Sequence, residues 1–201
     1  MNHKSFQSIR RAGAVLALAA LTPFAAADGK MVIKAGKVIT LAGEAIEGGT
    51  IVIEEGRVTA IGTDVQAPWD AEVLEYPGMV AFPGFVEAIT NSGMDRANDN
   101  IDVAAFLDVR DSIDPVNFYF ENALRAGVTT INVQHGRNCV VGANGHVVKP
   151  FGMTVEEMSV KPGAGLVLAA SAKGGKSSAT QAQTLRNTFT DLRLYLEELV
   201  Q

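Results

Sequence analysis

Apolar and polar residues alternate from 31 to about 83, and a helical repeat takes over further on. MVIK (31–34) and KVITL (37–41) flank Ala35-Gly36, and TIVIE (50–54) and RVTAI (57–61) flank Glu55-Gly56. Each glycine can supply the positive φ of a two-residue hairpin turn, so two hairpins are predicted. The alternation in 50–54 and 57–61 suits strands with one buried face. EVLEY (72–76) and MVAFP (79–83) follow as two more strands, divided by Pro77-Gly78. This stretch reads as a small all-β unit without a cluster of titratable residues.

Beyond Pro83 the period changes. Asp114-Pro115 predicts a helix start, with Asp as N-cap and Pro at the first helical position, where its missing N–H costs nothing. Val116, Tyr119, Phe120, Ala123 and Leu124 then form a buried stripe, and Gly127 stops the helix. Residues 128–133 (VTTINV) and 165–170 (GLVLAA) are β-rich, while the glycine-rich 140–150 reads as a loop. In the last segment Ala182, Leu185, Phe189, Leu192, Leu196 and Leu199 share one helical face. Strand, helix, strand, loop, strand, helix is the order that builds a parallel α/β sheet.

Charge and composition narrow the classes. The chain has 201 residues, of which 47% are hydrophobic and 19% charged, as expected of a packed protein rather than a disordered or fibrous one. Residues 1–27 contain Lys4, Arg10 and Arg11 and no acid. The remainder therefore carries 22 acidic residues against the other 14 of the 17 basic ones. So acidic a surface lacks the footprint of a nucleic-acid binder. The same 27 residues place an apolar run, AGAVLALAALTPFAAA, behind the positive charges, with Ala25 and Ala27 set for cleavage before Asp28. This is the design of a secretory signal peptide, and it leaves no stable membrane span after cleavage. The expected location is periplasmic or secreted. Arg10-Arg11 fits the general export route better than the twin-arginine one. Cys139 is the single cysteine, so no intrachain disulfide can form.

Three blocks carry a family resemblance: KAGKVITLAGEAIEGGTIVIEEGRVTAIG, EVLEYPGMVAFPGFVEAIT and ALRAGVTTINV. Together they resemble the amidohydrolase superfamily, in its imidazolonepropionase-like branch, over roughly residues 31–201. The resemblance implies part of a composite β-sandwich (28–82), then the first βα units of an incomplete TIM (β/α)8 barrel (83–201). It also implies hydrolysis of a C–N bond in a small-molecule substrate by activated water, and it leaves room for a homo-oligomer. Pro83-Gly84-Phe85-Val86-Glu87-Ala88 matches the family's first barrel strand, which runs into a His-x-His metal pair. This chain has Ile89-Thr90-Asn91 there. Isoleucine has no donor atom, and an asparagine carbonyl is a poor zinc ligand. A zinc-like divalent metal would therefore need ligands from further barrel strands. The alternative is an inactive relative that uses the fold for binding or structure. A TIM barrel typically takes about 250 residues, and 121 follow residue 80. The expectation is the N-terminal part of a protein about twice as long, with open sheet edges that favour aggregation.

In such a barrel the site lies beyond the C-terminal ends of the strands. The candidate substrate-binding residues there are Asn91, Asp95 and Arg96 after the first strand, and His135 and Lys149 after the second. Lys176 follows the third, beside Lys173 and Ser177. His135 and His146 lack metal-site spacing, so no metal is assigned to them, and a structural histidine is as good a reading of His135. Asn98-Asp99-Asn100 with Asp102 could hold calcium, although the spacing is not that of an EF-hand. Residues 170–177 (ASAKGGKS) match a loose phosphate-loop string, which makes a nucleotide binder a remote alternative. No catalytic residue is assigned.

Overall fold

The computed structural model describes residues 29–200. The signal-peptide segment lies outside the described residues. Two compact units divide between Phe82 and Pro83.

The first unit holds one five-stranded sheet: β1 (Met31–Val38), β2 (Ile46–Glu47), β3 (Thr50–Glu54), β4 (Arg57–Gly62) and β5 (Glu72–Ala81). β1 is central. β3 and β2 run antiparallel along one edge of it, in a register bridged by Ala35 N–H to Gly49 O and Gly48 N–H to Gly36 O. β5 runs parallel along the other edge. Val32, Ala35, Val38, Thr50 and Val52 are buried, whereas Val58 and Ile61 on β4 stay exposed. A second sheet that would complete a sandwich is not among the described residues of this unit.

The two predicted hairpins fare differently. Glu55 and Gly56 have φ of 50° and 70°, the paired positive values of a primed turn between β3 and β4. Ala35-Gly36 makes no turn, because β1 runs straight through it. A Cβ on Gly36 would lie 2.2 Å from the carbonyl oxygen of Pro77, so this glycine admits a neighbouring backbone. Pro77-Gly78 does not divide β5 either. The β1–β5 register shifts there, pairing Ala35 with Tyr76 but Lys37 with Val80. This bulge accommodates a proline that has no N–H for the ladder.

The second unit is a mixed α/β body whose curled sheet forms a half-barrel. The sheet orders β6 (Phe85–Thr90), β7 (Val128–Val133), β8 (Val141–Val148) and β9 (Ser159–Leu168). β6 and β7 are parallel and joined through α1 (Phe118–Arg125). β7–β8 and β8–β9 are antiparallel, so β6, β7 and β9 point the same way. The wholly parallel sheet is thus corrected: the glycine-rich loop is strand β8. Its glycines serve close approach, since a Cβ on Gly145 would meet the Gln134 amide at 2.0–2.5 Å and one on Gly142 would meet His135 at 3.0 Å.

Helical caps also moved. Asn117 caps α1, its side chain accepting from Tyr119 N–H. Asp114 instead closes a preceding turn, its Oδ1 accepting from Val116 N–H at 3.2 Å. Val116 therefore precedes the helix and is exposed. Gly127 does end the helix, with φ 80° and its N–H on Leu124 O. Phe120 and Ala123 pack with Val109, Ile131, Val133, Val148 and Met158 in the core of this unit. After the short α2 (Val155–Met158), the long α3 (Ser178–Leu199) buries only Gln181 fully. Its expected apolar face is open: Phe189, Leu192, Leu196 and Leu199 are about half exposed. Among the described residues no helix is long and apolar enough to cross a membrane.

Candidate functional site

Because β6, β7 and β9 share a direction, their C-terminal ends gather Asn91, the 134–138 loop and the 169–171 segment at one end of the sheet. Two cavities open there. One of about 300 Å³ is lined by Ile89, Thr90, Asn91, His135, Gly136 and Arg137. The other, about 590 Å³, shares Ile89 and Arg137 and extends over Asn132, Gln134 and residues 164–171.

The wall of the first cavity is set by backbone ties. Gly136 N–H donates to Ala97 O at 2.6 Å, and Asn138 N–H to Asn98 Oδ1 at 3.0 Å. A side chain at 136 would collide with Asn98, so glycine is required at this contact. Between these anchors Arg137 is exposed, with no hydrogen bond or ion pair to another described residue. Sequence reasoning passed over Arg137. The signal was present, since it directly follows the Gln134-His135-Gly136 strand end.

His135 is buried, and both ring nitrogens are engaged. Nε2 accepts from Asp99 N–H at 3.2 Å, which assigns the proton to Nδ1, 2.7 Å from Gly136 O. It holds the 97–99 loop against the β7 end, a structural role with no lone pair left for a ligand. Gln134 is buried too, its Nε2 donating to Asn132 Oδ1, and Asn132 Nδ2 donates to Ala88 O. This amide chain ties β7 to β6 beneath the cavities.

The other candidates separate. Asn91 lines the first cavity. Asp95 and Arg96 are exposed on the following loop and line neither cavity. Lys149 lies beyond β8 and donates to Thr130 Oγ1 at 2.8 Å, near the start of β7, so it belongs to the opposite end of the sheet. Lys176 is paired with Asp102 at 2.8 Å, as is buried Lys173 at 3.4 Å. These contacts, led by the Lys176 hydrogen bond, hold the Asp102 carboxyl below its ordinary range. Asp102 thus has two cationic partners, and each lysine a carboxylate one.

Two further polar groups lie off the cavities. Tyr119 Oη donates to Glu87 Oε2, and burial with that carboxylate pushes the phenol up to about 12. His146 Nε2 meets Ser159 Oγ at 2.7 Å, while its buried Nδ1 has no hydrogen bond and stands 3.9 Å from Asp108 Oδ1. Burial lowers its pKa. Burial also raises that of the Cys139 thiol, which therefore lacks thiolate character.

A divalent metal does not fit these donors. Ile89 has none, Asn91 offers a neutral amide, and His135 is engaged. Among the described residues no three His, Cys, Asp or Glu side chains converge as a metal site.

No protein-family model matches the chain, and no curated protein matches it. Among solved structures it is similar to an amidohydrolase from Thermotoga maritima MSB8, with TM-score 0.78 and 25% identity. The match covers 84% of this chain and 49% of that one, so the chain spans about half the length of that amidohydrolase. An N-acetyl-D-glucosamine-6-phosphate deacetylase from Mycobacterium smegmatis matches at TM-score 0.30 and 18% identity, over 53% of this chain and 24% of that one. That likeness is too low to carry a structural inference. The class defined by the first match is an amidohydrolase-like, hydrolase-type fold.

Proposed function

We propose that the protein is an exported amidohydrolase-like hydrolase acting on a carbon–nitrogen bond of a small molecule. The observation that carries this reading is the pair of cavities beyond the C-terminal ends of β6, β7 and β9, on a fold similar to that of an amidohydrolase. In this reading Asn91, Arg137 and the 164–171 segment hold the substrate, while Gln134 and His135 position that wall. No chemical step is assigned to a metal, because the donors at the end of β6 do not suit one.

A second reading, a non-catalytic binding or structural protein of the cell envelope, is favoured by that same donor set. The test uses protein expressed from its whole gene. Amides, lactams and cyclic imides are offered as substrates, and bound metal is measured by mass spectrometry. Release of amine or ammonia supports the hydrolase reading. Ligand binding without turnover, in metal-free and metal-supplemented protein alike, replaces it with the binding reading. Export is tested separately by cell fractionation and by the mature N-terminus, expected at Asp28.

A further inference from the structure

We infer that the cavity between Asn91 and Arg137 is a carboxylate-binding pocket, which makes the ligand a small acid with an uncharged body. This deepens the proposed function and rests on its location of the site, but not on turnover.

Charge leads to the ligand. Arg137 is a cation on the cavity wall without a carboxylate partner among the described residues. Its neighbours Gly136 and Asn138 are fixed through their N–H groups to Ala97 and Asn98. Asn138 in turn accepts from Gly174 N–H at 2.9 Å. The guanidinium thus stands on a braced backbone with its planar fork of donors unused, the geometry that matches a carboxylate in bidentate fashion. Asn91, just past the end of the neighbouring strand β6, brings an amide that makes no hydrogen bond to another described residue and can donate to the same anion. Asp99 is the acid near this wall, and its N–H and carboxylate face the engaged His135, with Oδ2 3.6 Å from Nε2.

Shape supplies the rest. The cavity of about 300 Å³ has room for a carboxylate and a few further atoms. Both cavities share Ile89 and Arg137, and the larger one continues over Asn132 and Gln134 and along residues 164–171. An acid head against Arg137 therefore leaves its body over Ile89 and the mixed wall of the larger cavity. Ile89 has a role here that a metal ligand could not fill: it lines both cavities and offers the body of the ligand an apolar contact.

Hexanoate and hexanamide share a shape and differ in charge, which makes them the probes. Binding to protein expressed from its whole gene is followed by saturation-transfer NMR and calorimetry. Hexanoate is expected to bind with Kd of about 1 mM or tighter, and hexanamide at least about tenfold more weakly. Arg137→Gln should lose about tenfold in hexanoate affinity while leaving hexanamide unchanged, with an unaltered melting temperature because Arg137 is exposed. Asn91→Asp should weaken hexanoate similarly through repulsion. Equal binding of acid and amide, no detectable hexanoate binding, or an Arg137→Gln protein that binds hexanoate as before would each overturn the inference. Hexanoate binding without hydrolysis of any amide would leave it standing and remove the hydrolase reading alone.

Discussion

Gly36 and Pro77 meet across the β1–β5 ladder so closely that a Cβ on Gly36 would lie 2.2 Å from the Pro77 carbonyl oxygen. The obstacle is backbone and cannot swing aside. Gly36→Ala should destabilise the first unit by about 2 kcal/mol or more. Gly43→Ala, where a Cβ meets nothing within 4 Å, should stay within about 0.5 kcal/mol of wild type. Chemical denaturation of both variants checks the contrast.

Tyr119 and Glu87 join α1 to β6 by a charge-assisted hydrogen bond. Tyr119→Phe should cost about 1–2 kcal/mol, because Glu87 keeps its desolvation and loses its donor. A double-mutant cycle with Glu87→Gln should return a coupling of about 1 kcal/mol. Additive single mutants would mean that the bond contributes nothing.

His146 makes the second unit acid-sensitive. Burial lowers its folded pKa below the ordinary 6.5, with Arg110 adding to the shift and Asp108 opposing it. Below pH 6.5 the unfolded chain therefore binds a proton that the folded chain resists. The stabilisation is complete above pH 6.5 and is lost as pH falls through the folded value. His146→Gln should flatten melting temperature against pH in that window, as read by circular dichroism.

Asp102 balances two lysines, one of them buried. Asp102→Asn should destabilise the 170–177 loop. The effect should be held to about 1 kcal/mol, because the carboxylate is 39% exposed and water screens it. With its pKa held low by Lys176, this contribution is present above about pH 3.8 and is lost as pH falls through the folded value. Hydrogen exchange of Lys173 and Lys176 amides, compared at pH 6 and pH 3, reads the loop directly.

What the sequence determined by itself was local. The Glu55-Gly56 hairpin and the Gly127 helix stop were legible because each needs positive φ within two residues, a demand that the residue types state on their own. The strand within the PGFVEAIT block was equally legible, since β6 spans Phe85–Thr90. Tertiary structure decided what depends on distant partners. Gly36 looked like a turn residue, and Gly142 and Gly145 like loop residues, yet all three lie in strands, where Pro77, His135 and Gln134 press against them. Only the fold shows Lys149 on Thr130, at the other end of the sheet, and Lys176 paired with Asp102. Arg137 stood out by the reverse logic. A cation becomes informative when no carboxylate reaches it, and that is a property of the folded neighbourhood rather than of any stretch of sequence.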